Sequence, residues 1–140
     1  MNEGRTAMAK ILIIDDEDQY RSTLKKMLEK AGYNEIEEAA NGSAGLKIFQ
    51  RHHFDLVITD IIMPEKEGIE TIVELLRIDP RIKIIAMSGG GRIGPENYLE
   101  LARHLGAGKT LAKPFKQAEL LQLVQETIHE SERERIKTQE

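Results

Sequence analysis

Five short strand-like runs alternate along this chain with five stretches of helical periodicity, and few folds accommodate that order. The runs are Lys10 to Ile14, Glu35 to Ala39, Leu56 to Thr59, Lys83 to Met87 and Lys109 to Ala112. Apolar residues recur three and four apart in the segments that follow them. The first such face carries Tyr20, Leu24, Met27, Leu28 and Ala31, and the second carries Gly45, Ile48 and Phe49. The third carries Ile69, Ile72, Val73 and Leu76, the fourth Tyr98, Leu101, Ala102 and Leu105, and the last Leu120, Leu123, Val124, Thr127 and Ile128. Strands alternating with helices are joined by right-handed crossovers, which place helices on both faces of a parallel sheet. The expected fold is thus α/β and doubly wound: a five-stranded parallel sheet between two helical layers.

Local signals set the boundaries. Gly32 stands where a helix-ending C′ residue belongs, Asn41 is a plausible N-cap, Asp79 and Pro80 stop the third helix, and Pro95 opens the fourth, which ends before Gly106. Glu35 to Ala39 alternates only modestly, whereas Leu56 to Thr59 is almost wholly apolar, as a central strand covered on both faces should be. At 140 residues the chain fits one domain. It is expected to run from residue 10 to 130, with an N-terminal extension over 1–9 and a charged tail over 131–140 that frays or continues the last helix into solvent.

Composition excludes several functions. Twenty basic residues against 24 acidic ones give a net charge of −4, without the basic stripe that nucleic-acid binding requires. The absence of cysteine removes disulfides and thiolate metal sites. No apolar run reaches the roughly 20 residues that span a bilayer, and Met1 to Thr6 is too polar for a signal peptide. A soluble, cytoplasmic protein without membrane insertion is expected.

Four of the five strand-like runs end on reactive polar residues: the first on Asp15 and Asp16, the third on Asp60, the fourth on Ser88 and the fifth on Lys113. In an open parallel sheet, ligands bind beyond the carboxyl ends of the strands, so these tips can converge from distant parts of the sequence. Three carboxylates brought together repel unless a cation sits among them or one keeps a proton. The donors are hard oxygens, and none of His52, His53, His104 and His129 falls at a strand tip, which favours Mg2+, or Mn2+, over Zn2+. An aspartate pair alone serves equally well for loop solubility or helix capping. Lys113 and Ser88 at neighbouring tips add what phosphoryl transfer to a carboxylate needs: an ammonium to neutralise developing charge and a hydroxyl to donate. Asp60 is the favoured nucleophile because it ends the most apolar strand. Asp16 would ligate the metal directly, Asp15 through water, and the backbone carbonyl of Ile62 could fill another position.

These residues stand in ILIIDDE, LVITDIIMPEKEG, IIAMSGG and LAKPF, and with them the chain resembles the receiver domain of two-component response regulators from Lys10 to Ile128. The resemblance implies a flavodoxin-like (βα)5 sandwich with strand order 2-1-3-4-5. It also implies that Asp60 accepts phosphate from a sensor histidine kinase or histidine phosphotransfer protein, that Mg2+ assists, and that Ser88 and Lys113 engage the phosphoryl group. A cis Lys113–Pro114 bond follows from it too. Partners would be the phosphate donor and a downstream protein target, with the chain a monomer or a phosphorylation-dependent homodimer.

Two features depart from the family pattern. Thr110 replaces an aromatic that family members often turn inward on activation, and Gly89 to Gly91 loosen the loop after Ser88. Activation is therefore expected to order Ser88 to Gly94 rather than flip a ring, although a merely flexible loop accounts for the glycines as well. Arg92, Glu65, Lys66 and Glu67 are loop charges of lesser weight, and His52 and His53 complement a helix dipole. An aspartate-nucleophile phosphatase would want a second Asp where Ile62 stands. A nucleotide-binding module would want glycines where Asp15 and Asp16 stand. A degenerate docking module would not need all five site residues.

Overall fold

In the computed structural model, which describes residues 9–61, 68–89, 100 and 102–139, strand β1 (Lys10–Ile14) pairs with β2 (Glu35–Ala39) on one side and β3 (Leu56–Asp60) on the other. Strand β4 (Lys83–Ser88) continues from β3, and β5 (Lys109–Ala112) closes the sheet. All pairs are parallel and the order is 2-1-3-4-5, the doubly wound arrangement expected.

Alternation along the strands divides the core. Leu12, Ile14, Val57, Ile84 and Ala86 face one helical layer, with α2 (Gly42–Arg51), α3 (Gly68–Ile78) and helical residues 102–105 (α4). Ile11, Ile13, Leu56, Ile58, Ile85 and Met87 face the other, with α1 (Asp18–Lys30) and α5 (Gln117–Gln139). Every residue of β3 is buried, which is why its sequence carries no polar alternation.

The caps behave as their residue types dictate. Asn41 accepts from the Ala44 amide at 2.8 Å, satisfying one otherwise orphaned donor. At the end of α1, Gly32 adopts φ 102° while its amide bonds to the Glu29 carbonyl and that of Tyr33 to Leu28, a Schellman closure.

Three expected core positions are corrected. Ala31 is exposed because it is the C-cap of α1, past the last turn that faces the sheet. Val73 is 46% exposed, and Thr71 and Leu75 are buried instead. The buried row of α3 is Gly68, Thr71, Ile72 and Leu75, and it starts where Gly68 lies too close to Ile61 for a Cβ and donates its amide to the Ile61 carbonyl at 3.2 Å. Leu105 is also exposed, while its neighbour Ala102 is fully buried. Pro95, Tyr98 and Leu101 lie outside the described residues.

Ala9, assigned by sequence to the N-terminal extension, packs into the α1/α5 side of the core. The charged tail continues α5 as helix to Gln139. It does not simply project into solvent: Glu134 pairs with Lys83 at the start of β4, and Arg135 with Asp55 just before β3. Asp55 in turn accepts from the Lys10 amide at 2.8 Å. The tail thus crosses the amino-terminal edge of the sheet, opposite the strand tips that carry the reactive residues.

Candidate functional site

Parallel strands in register bring their carboxyl ends to one rim. Ile14 lies beside Thr59, Asp60 beside Met87, and Ser88 beside Ala112, so the residues at or just beyond these ends meet there. Two backbone bonds stitch the rim: Ile61 N–H to the Met87 carbonyl at 3.0 Å, and Lys113 N–H to the Ser88 carbonyl at 2.8 Å.

Lys113 gathers the site. Its ammonium donates to Asp60 Oδ2 at 2.8 Å, to Asp15 Oδ2 at 2.9 Å and to Glu17 Oε1 at 3.3 Å. Its side chain is only 7% exposed, and Asp15 is fully buried. Burial alone would depress the lysine pKa, but the hydrogen bond and charge of Asp60, followed by those of Asp15, more than offset it and raise it above the ordinary value. The ammonium is therefore permanently charged at neutral pH, the state needed to neutralise anionic oxygens.

Asp15, Asp16 and Asp60 each offer a carboxylate oxygen within 4.8 Å of the others, a donor set of hard oxygens suited to Mg2+ or Mn2+. Both Asp15 oxygens are already engaged, Oδ1 by the Glu17 amide at 2.9 Å and Oδ2 by Lys113. Asp16 is exposed at the mouth. Ile62, whose carbonyl was expected to contribute, lies outside the described residues, as do Pro64, Glu65, Lys66, Glu67, Arg92 and the loop residues 90–94.

Ser88 is fully buried, and its hydroxyl has no hydrogen-bond partner among the described residues. Leaving a hydroxyl buried and unpaired costs about 1–3 kcal/mol, so such a group ordinarily awaits an acceptor. Thr110 at the start of β5 is half-buried, and its Oγ1 accepts from Arg103 at 3.3 Å.

Sequence reasoning passed over several residues that shape this rim. Arg21 donates to the Asp15 carbonyl at 2.6 Å and to Asp18 at 2.7 Å, and also pairs with Glu38, pinning the loop that carries the acidic pair. Glycine is required at two close approaches: a Cβ on Gly68 would fall 2.3 Å from the Asp60 carbonyl oxygen, and one on Gly89 2.3 Å from Lys113 Cβ. Gly68 was visible in the sequence as the glycine closing LVITDIIMPEKEG; the reach of Arg21, Glu17 and Tyr20 toward the site had no sequence signal. The Lys113–Pro114 bond is cis, as the resemblance implied.

Residues 11–125 match the response regulator receiver domain. The chain belongs to that family. This receiver is 33% identical to the chemotaxis protein CheY of Bacillus subtilis over 120 residues, covering 86% of this chain and 98% of CheY. It is 35% identical to CheY of Thermotoga maritima over 113 residues, 81% and 92% of the respective chains. Among solved structures, a CheY-like receiver domain protein from Methanospirillum hungatei superposes with a TM-score of 0.83 at 30% identity, over 91% of this chain and 98% of that one. The five-stranded order makes this receiver flavodoxin-like in fold, and its family is that of the receiver domains of two-component systems. None of its helices, among the described residues, is long and apolar enough to cross a membrane.

Proposed function

We propose that this receiver is a phosphoacceptor whose Asp60 takes a phosphoryl group from a histidine kinase or a histidine phosphotransfer protein. In the transfer, an Asp60 carboxylate oxygen forms the new bond to phosphorus as the P–N bond to the donor imidazole breaks, and the ring nitrogen keeps the electron pair. The loose transition state spreads negative charge over the phosphoryl oxygens, so placed cations supply most of the catalysis. Lys113 is one such cation. Ser88, whose hydroxyl has no partner among the described residues, donates to a phosphoryl oxygen.

Asp16 and Asp60 would hold Mg2+ directly and Asp15 through water, since both oxygens of Asp15 already have partners. The backbone carbonyl of Ile62 would be a further ligand. When bound, the metal supplies charge neutralisation for the entering phosphoryl group. The protein transfers phosphate only onto and off itself, acts in the cytoplasm, and signals by changing its affinity for a partner protein or a second copy. With Thr110 in place of an aromatic, the switch does not depend on turning a ring at that position.

The observation that carries this reading is the Lys113 ammonium bridging Asp60 and Asp15 beside a third carboxylate, Asp16. A docking module without phosphorylation has no need of that arrangement. Incubation with acetyl phosphate and Mg2+ followed by intact mass measurement tests it. Gain of one phosphoryl group by the native chain and none by Asp60→Asn is expected; equal gain by both would reject it.

A further inference from the structure

The Lys113 ammonium has a fourth neighbour besides its three carboxylates: the face of Tyr20, with Nζ 4.1 Å from the ring centroid. Tyr20 is in turn fixed by Phe115, whose ring meets it edge-on at 5.7 Å and 86°. Tyr20 sits in the first turn of α1, directly after the acidic loop, and Phe115 lies two residues past Lys113. The ring therefore bridges the two segments that must keep register for the site to work.

We infer that Tyr20 is a positioning residue, its ring face holding the Lys113 ammonium at the phosphoryl site while the surrounding carboxylates change state. An ammonium has three N–H donors, and here all three are directed to carboxylates. The contact with Asp60 is changed by the reaction, which turns that carboxylate into an acyl phosphate, and a bound Mg2+ would add its charge beside Asp15. Glu17 and the aromatic face keep their charge before and after, and of these two the ring is the one braced by a packing partner, Phe115. A cation over a partly desolvated ring is held by the ring quadrupole, and the contact limits the rotamer freedom of a long lysine chain. Without it the ammonium can follow Glu17, whose side chain is 61% exposed.

This inference rests on the phosphoacceptor reading, and its test separates the two. Tyr20→Leu should slow phosphorylation by acetyl phosphate about fivefold to tenfold, and Tyr20→Phe, which keeps the ring, should restore the native rate within about twofold. The Lys113 side-chain resonances, shielded by a ring this close, should move downfield in Tyr20→Leu and stay in place in Tyr20→Phe. Equal slowing in both variants, or unmoved Lys113 resonances in Tyr20→Leu, overturns the proposal. If Tyr20→Leu does not fold, Phe115→Leu takes its place; loosening the ring should shift the same resonances, and no shift overturns the proposal. If the native chain takes up no phosphate, the Asp60 reading fails, and the resonances alone decide the role of Tyr20.

Discussion

Lys113 Nζ donates to Asp60 Oδ2 at 2.8 Å although 53 residues separate the two in sequence. The same ammonium holds Asp15, so one positive charge is shared between two buried carboxylates. Lys113→Met should leave them uncompensated and cost about 3 kcal/mol of stability in the absence of divalent metal. Mg2+ should return much of that loss, since at a hundred times its Kd it stabilises a folded protein by about 2.7 kcal/mol. Urea denaturation of both proteins with and without Mg2+ measures this; a variant as stable as the native chain in metal-free buffer contradicts it.

Gly68→Ala and Gly89→Ala should damage the site through the backbone. Each added Cβ meets its neighbour at an impossible distance, Ile61 Cα at 2.2 Å for Gly68 and Lys113 Cβ at 2.3 Å for Gly89. Overpacking of this kind costs about 1–3 kcal/mol, and here it also displaces Asp60 or Lys113. Gly108→Ala, with open space around it, is the control. Phosphorylation should slow in the first two and not in the third.

Alkaline pH should weaken the fold through Lys113 and Tyr20. Burial, followed by the opposing charge of Lys113 and the like charges of Asp15, Glu17 and Asp60, leaves the Tyr20 pKa raised from 10.0, and Lys113 is raised from 10.5. Both groups bind protons more tightly folded than unfolded. Their contribution is complete below the unfolded values and is lost as pH rises toward the folded ones. Stability in urea should therefore decline from about pH 10 upward on their account, with a shallower decline in Lys113→Met. Parallel slopes for the two proteins would contradict the assignment.

Truncation after Glu130 should be mild. It removes the Glu134–Lys83 and Arg135–Asp55 pairs, which are partly exposed and lie at the far end of the sheet. A loss of about 1 kcal/mol or less is expected, with the phosphorylation rate unchanged. A slower rate in the truncated protein would mean that the tail reaches the site through the sheet.

The fold was legible because its signals are local. Strand positions followed from short strand-like runs, with β3 and β4 each reaching one residue further, to Asp60 and Ser88, the Asn41 cap from one side chain, and the end of α1 from Gly32. Helix orientation was less so: Ile69, Ile72, Val73 and Leu76 fit a helical stripe as well as the observed row, and the close approach of Gly68 to Ile61, which favours the latter, is a tertiary contact. In the candidate site, Asp15, Asp16, Asp60, Ser88 and Lys113 were visible because strand tips share a rim in any parallel sheet. Glu17, Tyr20 and Arg21 were not, since their contacts depend on how far a lysine or arginine chain reaches across strands. The role of the tail was hidden for the same reason, as its partners Lys83 and Asp55 lie 51 and 80 residues away.

The most direct test is to locate the phosphoryl group chemically. Borohydride reduces an acyl phosphate to an alcohol, so protein treated with acetyl phosphate and Mg2+ and then reduced should carry homoserine in place of Asp60 in the peptide spanning β3. Homoserine at Asp15 or Asp16, or at no aspartate, would contradict the account.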